Sequence, residues 1–160
     1  MSQTIKILNI RDFMVRHLAD VFETMLSFKA VTAAGRGLPP DTERVSGSVG
    51  FAGESLSGAV YLHLSSAFAQ RAALAMLGLP PEEIAGEAEV NDVVGEVTNM
   101  LTGGLKSWLG DEGAPCAIST PAIIRGKAFA IEAMPDVERE QLVFDCAGER
   151  VVVEIHVKFN

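Results

Sequence analysis

From Ile10 to Phe28 the apolar residues Ile10, Phe13, Met14, Leu18, Val21, Phe22, Met25 and Leu26 recur at intervals of three and four, the spacing of an amphipathic helix. A loop holding Gly35, Gly37 and Pro39-Pro40 ends that pattern. Two short runs follow, Val45–Ala52 and Leu56–Leu64, and with Gly53-Glu54-Ser55 between them they predict a hairpin. Ser65 or Ser66 is suited to cap a short helix running to Leu77, where Gly78 and Pro80-Pro81 stop it. The most regular segment spans about Glu89 to Leu109. Its apolar residues Val93, Val94, Val97, Met100, Leu101, Leu105 and Trp108 fall within an arc of about 140° at about 100° per residue, with Trp108 near the centre. This predicts a long helix lying on a core.

After a Gly-, Pro- and Ser-rich loop (110–121), strand-like runs occupy about Ile123–Met134, Gln141–Ala147 and Val151–Phe159. The last alternates, with Val153, Ile155, Val157 and Phe159 on one face and Glu154, His156 and Lys158 on the other. Helix, loop ending in proline, hairpin is an order that occurs twice. It predicts two similar halves and an α+β fold, helices packed on a largely antiparallel sheet, with 1–160 forming one domain.

Composition narrows the function. A chain that is 48% hydrophobic and 21% charged is neither disordered nor of low complexity. Thirteen Lys and Arg against 21 Asp and Glu give a net charge of -8, which repels phosphate backbones and anionic lipid in aggregate. Cys116 and Cys146, 30 positions apart, supply neither a disulfide framework nor a metal-binding spacing. No apolar run approaches the ~20 residues that span a bilayer, and Met1–Leu8 lacks the apolar core of a secretory signal. A cytoplasmic protein with no membrane and no nucleic-acid partner is expected.

The candidate chemistry lies on the long helix. At about 100° per residue, Glu96, Asn99, Gly103 and Lys106 all fall within about 40° of Asp92 around the helix axis. Asp92, Glu96 and Asn99 thus form a polar stripe opposite the apolar arc, facing water or a partner. Gly103, one turn beyond Asn99, costs about 1 kcal/mol relative to Ala in a helix but permits close approach by another surface. Elsewhere the signals are weak. His17, His63 and His156 share no metal-ligand spacing, and His17 suits the core edge of the first helix. Gly47, Gly50, Gly53 and Gly58 lack the Lys-Ser/Thr ending of a phosphate loop and suit hairpin and bulge positions. Ser55, Ser57 and Ser119 have no nucleophile-elbow context, and no basic neighbour in sequence activates Cys116.

Asp92, three residues, Glu96, two residues, Asn99, then twenty-one residues to Pro121 is a longer pattern, with Gly95, Met100 and Gly103 around it. It resembles the signature of the CheC/CheX/FliY family of chemotaxis phosphatases. The leading amphipathic helix, the Val49–Glu54 hairpin segment with Gly58-Ala59-Val60, and the terminal strands extend the resemblance to CheX over nearly the whole chain. CheC-type members commonly carry two copies of the motif. Here, with Pro39 or Pro40 in the place of Pro121, the first-half positions are His17 or Leu18 and Met14 or Val15, so a single site remains, as in CheX.

The resemblance implies hydrolysis of the aspartyl phosphate on a CheY-like response regulator. Asn99 would align the attacking water, since a carboxamide both accepts and donates, and Glu96 would pair with a lysine of the partner. Asp92, Gly103 and Lys106 fall to partner contact. Asp92 also suits the positive end of the helix dipole. The resemblance further implies no cofactor of the chain's own, Mg2+ supplied by the phosphorylated regulator, and a homodimer. The alternative is a non-catalytic interaction module of a chemotaxis or flagellar-switch assembly.

Overall fold

The computed structural model describes residues 4–160. Helix α1 (Ile7–Leu26) is followed by strand β1 (Ala30–Thr32), the hairpin β2 (Arg44–Gly53) and β3 (Leu56–Ser65), and helix α2 (Ser66–Leu77). Helix α3 (Glu87–Asp111), the short strands β4 (Cys116–Ile118) and β5 (Ala122–Gly126), and the hairpin β6 (Glu138–Cys146) and β7 (Glu149–Phe159) complete the order. Every strand pairing is antiparallel, in the order β1-β6-β7-β3-β2-β4, with β5 next to β4 along the outer edge of β2.

Local chemistry sets the boundaries. Ser65 caps α2, its oxygen accepting from the Phe68 N–H at 3.0 Å, and Gly78 closes that helix at φ 69°. Helix α3 begins two residues earlier than predicted because the Gly86 N–H donates to the Glu89 carboxylate at 3.1 Å, while Glu87 and Glu89 meet the positive end of the dipole. Helix α1 is displaced toward the N-terminus relative to its apolar pattern and ends at Ser27, which adopts φ 58°. The three-residue strands β1 and β4 are too short to declare themselves by alternation.

The two halves interlock. Strands β3 and β7 pair at the centre, from Leu56↔Phe159 to Leu64↔Val151. Helix α1 rests over β6, to which β1 is added, and α3 rests over β2, to which β4 and β5 are added. Each half therefore covers the hairpin of the other, and a single core results. It includes Met14, Leu18 and Phe22 of α1, Phe68 of α2, Leu101 and Leu105 of α3, and Val60, Leu62, Val153 and Ile155 of the sheet, all 0% exposed. Each such side chain contributes about 1.5–3 kcal/mol on burial.

The glycines of the first hairpin serve packing more than turning. Gly47 lies beneath α3, where an added Cβ would collide with Thr98 Oγ1 and come within 3.3 Å of the Val94 carbonyl. Gly53 and Gly58 lie against the backbone carbonyls of Pro115 and His156. Gly47→Ala is therefore expected to cost about 2–3 kcal/mol by lifting α3 from the sheet, read as a lower urea midpoint with an unchanged m-value.

Two further expectations need correction. Trp108 is at the core edge, half-buried and stacked on Phe13 with ring centroids 5.3 Å apart, because α1 covers only one side of its ring. The run Ile123–Met134 is a strand only to Gly126. Ala128 then takes φ 53° and donates its N–H to the Pro40 carbonyl at 3.0 Å, and the chain turns over the sheet face away from the helices.

That turn buries the polar face of β7. Glu154 is 4% exposed and His156 6%, and on neighbouring strands His63 is 1% and Ser46 0% exposed. Ser46 Oγ is 2.6 Å from His63 Nδ1, and His63 Nε2 faces Glu154 Oε1 at 3.5 Å. His156 Nε2 donates to Glu154 Oε2 at 3.1 Å, and the Arg139 guanidinium donates to Oε1 at 3.0 Å. Arg44 donates to the Phe129 carbonyl and lies 4.0 Å from the centroid of the Phe129 ring, which closes this network from above.

Candidate functional site

Helix α3 is held from both sides, and its free face lies between the supports. On one flank His17 of α1, half-buried as its place in the pattern suggested, donates from Nε2 to the Met100 carbonyl at 3.0 Å. Gly104 makes room for it, since a Cβ there would strike the imidazole. On the other flank Arg125 of β5 donates to Asn91 Oδ1 at 2.6 and 3.1 Å and approaches Glu87 at 3.9 Å. One turn further along α3, Pro121 abuts Gly95, where an added Cβ would be 3.4 Å from the proline Cβ. Glu87, Asn91, Gly95 and Asn99 form one ridge at i, i+4 steps. The antiparallel course of β5 beside this ridge brings the distant Pro121 next to the turn that ends in Asn99.

The polar stripe is exposed as its angles predict. Asp92, Glu96 and Lys106 are exposed and Asn99 is half-buried. Among the described residues, no side-chain hydrogen bond or ion pair engages Asp92, Glu96 or Asn99, the nearby guanidinium of Arg125 being committed to Asn91 and Glu87. Gly103 has nothing within 4 Å of where a Cβ would stand, so the floor beside Asn99 is open. From Asp92 to Lys106 the free face is about 21 Å long at about 1.5 Å per residue.

Arg125 and His17, which steady the helix, were not singled out as supports by the sequence, because their partners are a side-chain amide and a backbone carbonyl at unrelated positions. Cys116 is half-buried; burial pushes its thiol up, opposed by the Lys106 charge, so it is no activated nucleophile. Burial pushes the Cys146 thiol up as well, to about 11. Ser46, His63 and Glu154 follow one another as hydroxyl, imidazole and carboxylate, but Ser46 is fully buried on the opposite sheet face, out of a substrate's reach. The exposed stripe offers a carboxylate that can accept from a cation and an amide that can orient water, without a nucleophile. Among the described residues, no cluster of three or more His, Cys, Asp or Glu is arranged to hold a metal ion, and no helix is long and apolar enough to cross a membrane.

An open antiparallel sheet with three helices on one face and a single exposed motif on the central helix defines an α+β protein of the CheC-like class. The family model for chemotaxis phosphatase CheX matches residues 45–146, so the chain belongs to that family. A CheX chemotaxis protein from Vibrio vulnificus is 25% identical, with 97% of this chain and all of that chain covered at a TM-score of 0.80. A CheC-like superfamily protein from Shewanella sp. PV-4 is 27% identical, with 94% and 98% covered at 0.79. The CheX–CheY–BeF3–Mg2+ complex from Borrelia burgdorferi matches at 21% identity, 93% and 97% coverage and a TM-score of 0.67. No curated protein sequence matches the chain.

Proposed function

We propose that this chain, as one domain, hydrolyses the aspartyl phosphate of a CheY-like response regulator. The observation that carries the reading is the uncommitted stripe: Glu96 and Asn99 share one exposed helix face with no side-chain partner among the described residues, and Pro121 packs beside them on Gly95. An acyl phosphate already has a good leaving group, so the missing element is an aligned water. Asn99 orients that water for in-line attack, accepting through Oδ1 and donating through Nδ2. The water oxygen bonds to phosphorus, the bond from phosphorus to the carboxylate oxygen breaks, and inorganic phosphate and a free aspartate result.

Glu96, one turn away, accepts from a lysine of the regulator and sets the docking angle. Asp92 and Lys106 contact the partner at either end, and the open space at Gly103 admits its backbone. The stripe does not fit a resident Mg2+, because Asp92 and Glu96 stand alone on successive turns with no third ligand gathered to them among the described residues. In this reading the metal is the regulator's and neutralises charge on the phosphoryl oxygens there. The Borrelia relative, captured with CheY, BeF3 and Mg2+, supports that division. A homodimer through a sheet edge and a cytoplasmic location complete the reading. Strand β1 offers such an edge, with Val31 48% exposed.

The test is the loss of phosphoryl label from a panel of purified phosphorylated CheY-like receivers, with and without the wild-type chain. Acceleration for one receiver names the substrate. No acceleration across a panel that includes the organism's own receivers overturns the phosphatase in favour of an interaction module. Glu96→Lys is expected to raise KM for the responsive receiver about tenfold or more, because a cation then faces the partner's lysine. Unchanged KM and kcat in that variant remove Glu96 from the site.

A further inference from the structure

The two short strands beside β2 do not continue each other in register. Strand β4 pairs Ile118 with Phe51 and Cys116 with Gly53, whereas β5 pairs Ala122 with Ser48 and Ile123 with Gly47. Between them Ser119, Thr120 and Pro121 stand opposite only Val49 and Gly50, a β-bulge with one extra residue. Because side chains alternate along a strand, the extra residue reverses which face each later side chain occupies. Ile118 packs on the core beneath α3, and three positions on Pro121, though exposed, lies on the same side of the sheet against Gly95 of α3, where a regular strand would turn it to the other face. Ile123 and Arg125 follow it onto the α3 side.

A single side chain holds the bulge. Gly50 presents its N–H and C=O at the gap between β4 and β5. The Ser119 N–H donates to the Gly50 carbonyl at 2.9 Å, and the Gly50 N–H donates to Ser119 Oγ at 2.9 Å, so the hydroxyl replaces the missing ladder carbonyl. Ser119 Oγ in turn donates to the Thr120 carbonyl at 3.1 Å, which fixes the residue before the proline. We infer that Ser119 is a positioning residue of the phosphatase site, holding the bulge that turns Pro121 onto Gly95 and so fixing the wall beside Asn99. The inference rests on the phosphatase reading and adds a residue remote from the reacting atoms.

The test is steady-state dephosphorylation of the responsive receiver by Ser119→Ala, Ser119→Thr and Pro121→Ala, alongside thermal melts. Ser119→Ala is expected to lose about tenfold in kcat with KM within about twofold, since small misplacements at a reacting centre are costly. Its melting temperature is expected to fall by no more than about 4 °C, because the bond is at an exposed edge. Ser119→Thr, which keeps the hydroxyl, restores most of kcat. Pro121→Ala, which keeps the bulge and removes the wall, repeats the kcat loss and guards against a Ser119→Ala chain that melts below the assay temperature. Normal kcat in Ser119→Ala or in Pro121→Ala, or a Ser119→Thr variant as impaired as Ser119→Ala, overturns the inference while leaving an active wild type standing. An inactive wild type overturns the phosphatase reading and this inference with it.

Discussion

Asn99→Ala is expected to lower the stimulated rate of receiver dephosphorylation by about 100-fold or more, with the chain still folded. Both halves of that expectation come from the same geometry. The Asn99 side chain is half-buried on the free face of α3 and has no hydrogen-bond partner within the described chain, so its removal orphans nothing. Alanine also propagates a helix better than asparagine by about half a kcal/mol, so the urea midpoint should hold or rise slightly. The rate, by contrast, loses the one group that can hold water in line with phosphorus. About 2.7 kcal/mol of barrier corresponds to that factor of 100. Asn99→Asp separates orientation from mere shape: it keeps the outline, loses the amide donor and sets a negative charge toward a negative phosphoryl group, and it too should be slow. An Asn99→Ala chain as active as wild type would remove Asn99 from the chemistry.

The parts of this site that could be read in the sequence were those that repeat at a fixed step. Asp92, Glu96 and Asn99 fall on one face because a helix turns by about 100° per residue, and their exposure follows from the apolar arc opposite. The two hairpins and the caps at Ser65 and Gly78 were legible for the same local reason. Pro121 was legible only as a distance along the chain, and what brings it to Gly95 is a one-residue bulge, visible only when the partners on β2 are known. The segment after Gly126 misled for a related cause. Phe129, Ile131 and Met134 prolong an apolar run that suits a strand, yet the run bends away to cover a polar sheet face. Whether Glu154 and His156 meet water or a lid depends on that bend and not on the alternation of β7.

The lid makes Glu154 a residue whose loss should cost stability although it lies outside the hydrophobic core. Desolvation raises the pKa of its carboxyl, but the His63 imidazole facing it at 3.5 Å, the bond from His156 and the charge of Arg139 outweigh it and hold the carboxyl at about 2. The folded pKa therefore lies below the usual 4.5. The stability gained is fully present above the unfolded value and is lost as pH falls from about 4.5 toward about 2. Glu154→Gln keeps the shape and removes the charge, leaving Arg139 and Arg44 beneath Phe129 with no buried anion. A loss of about 2–3 kcal/mol is expected at pH 7, the scale of hydrogen bonds to a buried charged group, because Glu154 is buried while its cationic partner Arg139 is 41% exposed. In urea titrations from pH 7 to pH 3 the wild type should weaken toward the acid end, and Glu154→Gln should lack that part of the slope. Equal midpoints at pH 7, or identical acid limbs, would show that the network contributes nothing net. Because Ser46 and Glu154 lie on the sheet face away from α3, the folded fraction of Glu154→Gln should dephosphorylate the receiver at the wild-type rate. Asn99→Ala should do the reverse, stable and slow, and the pair of variants separates what holds the sheet together from what aligns the water.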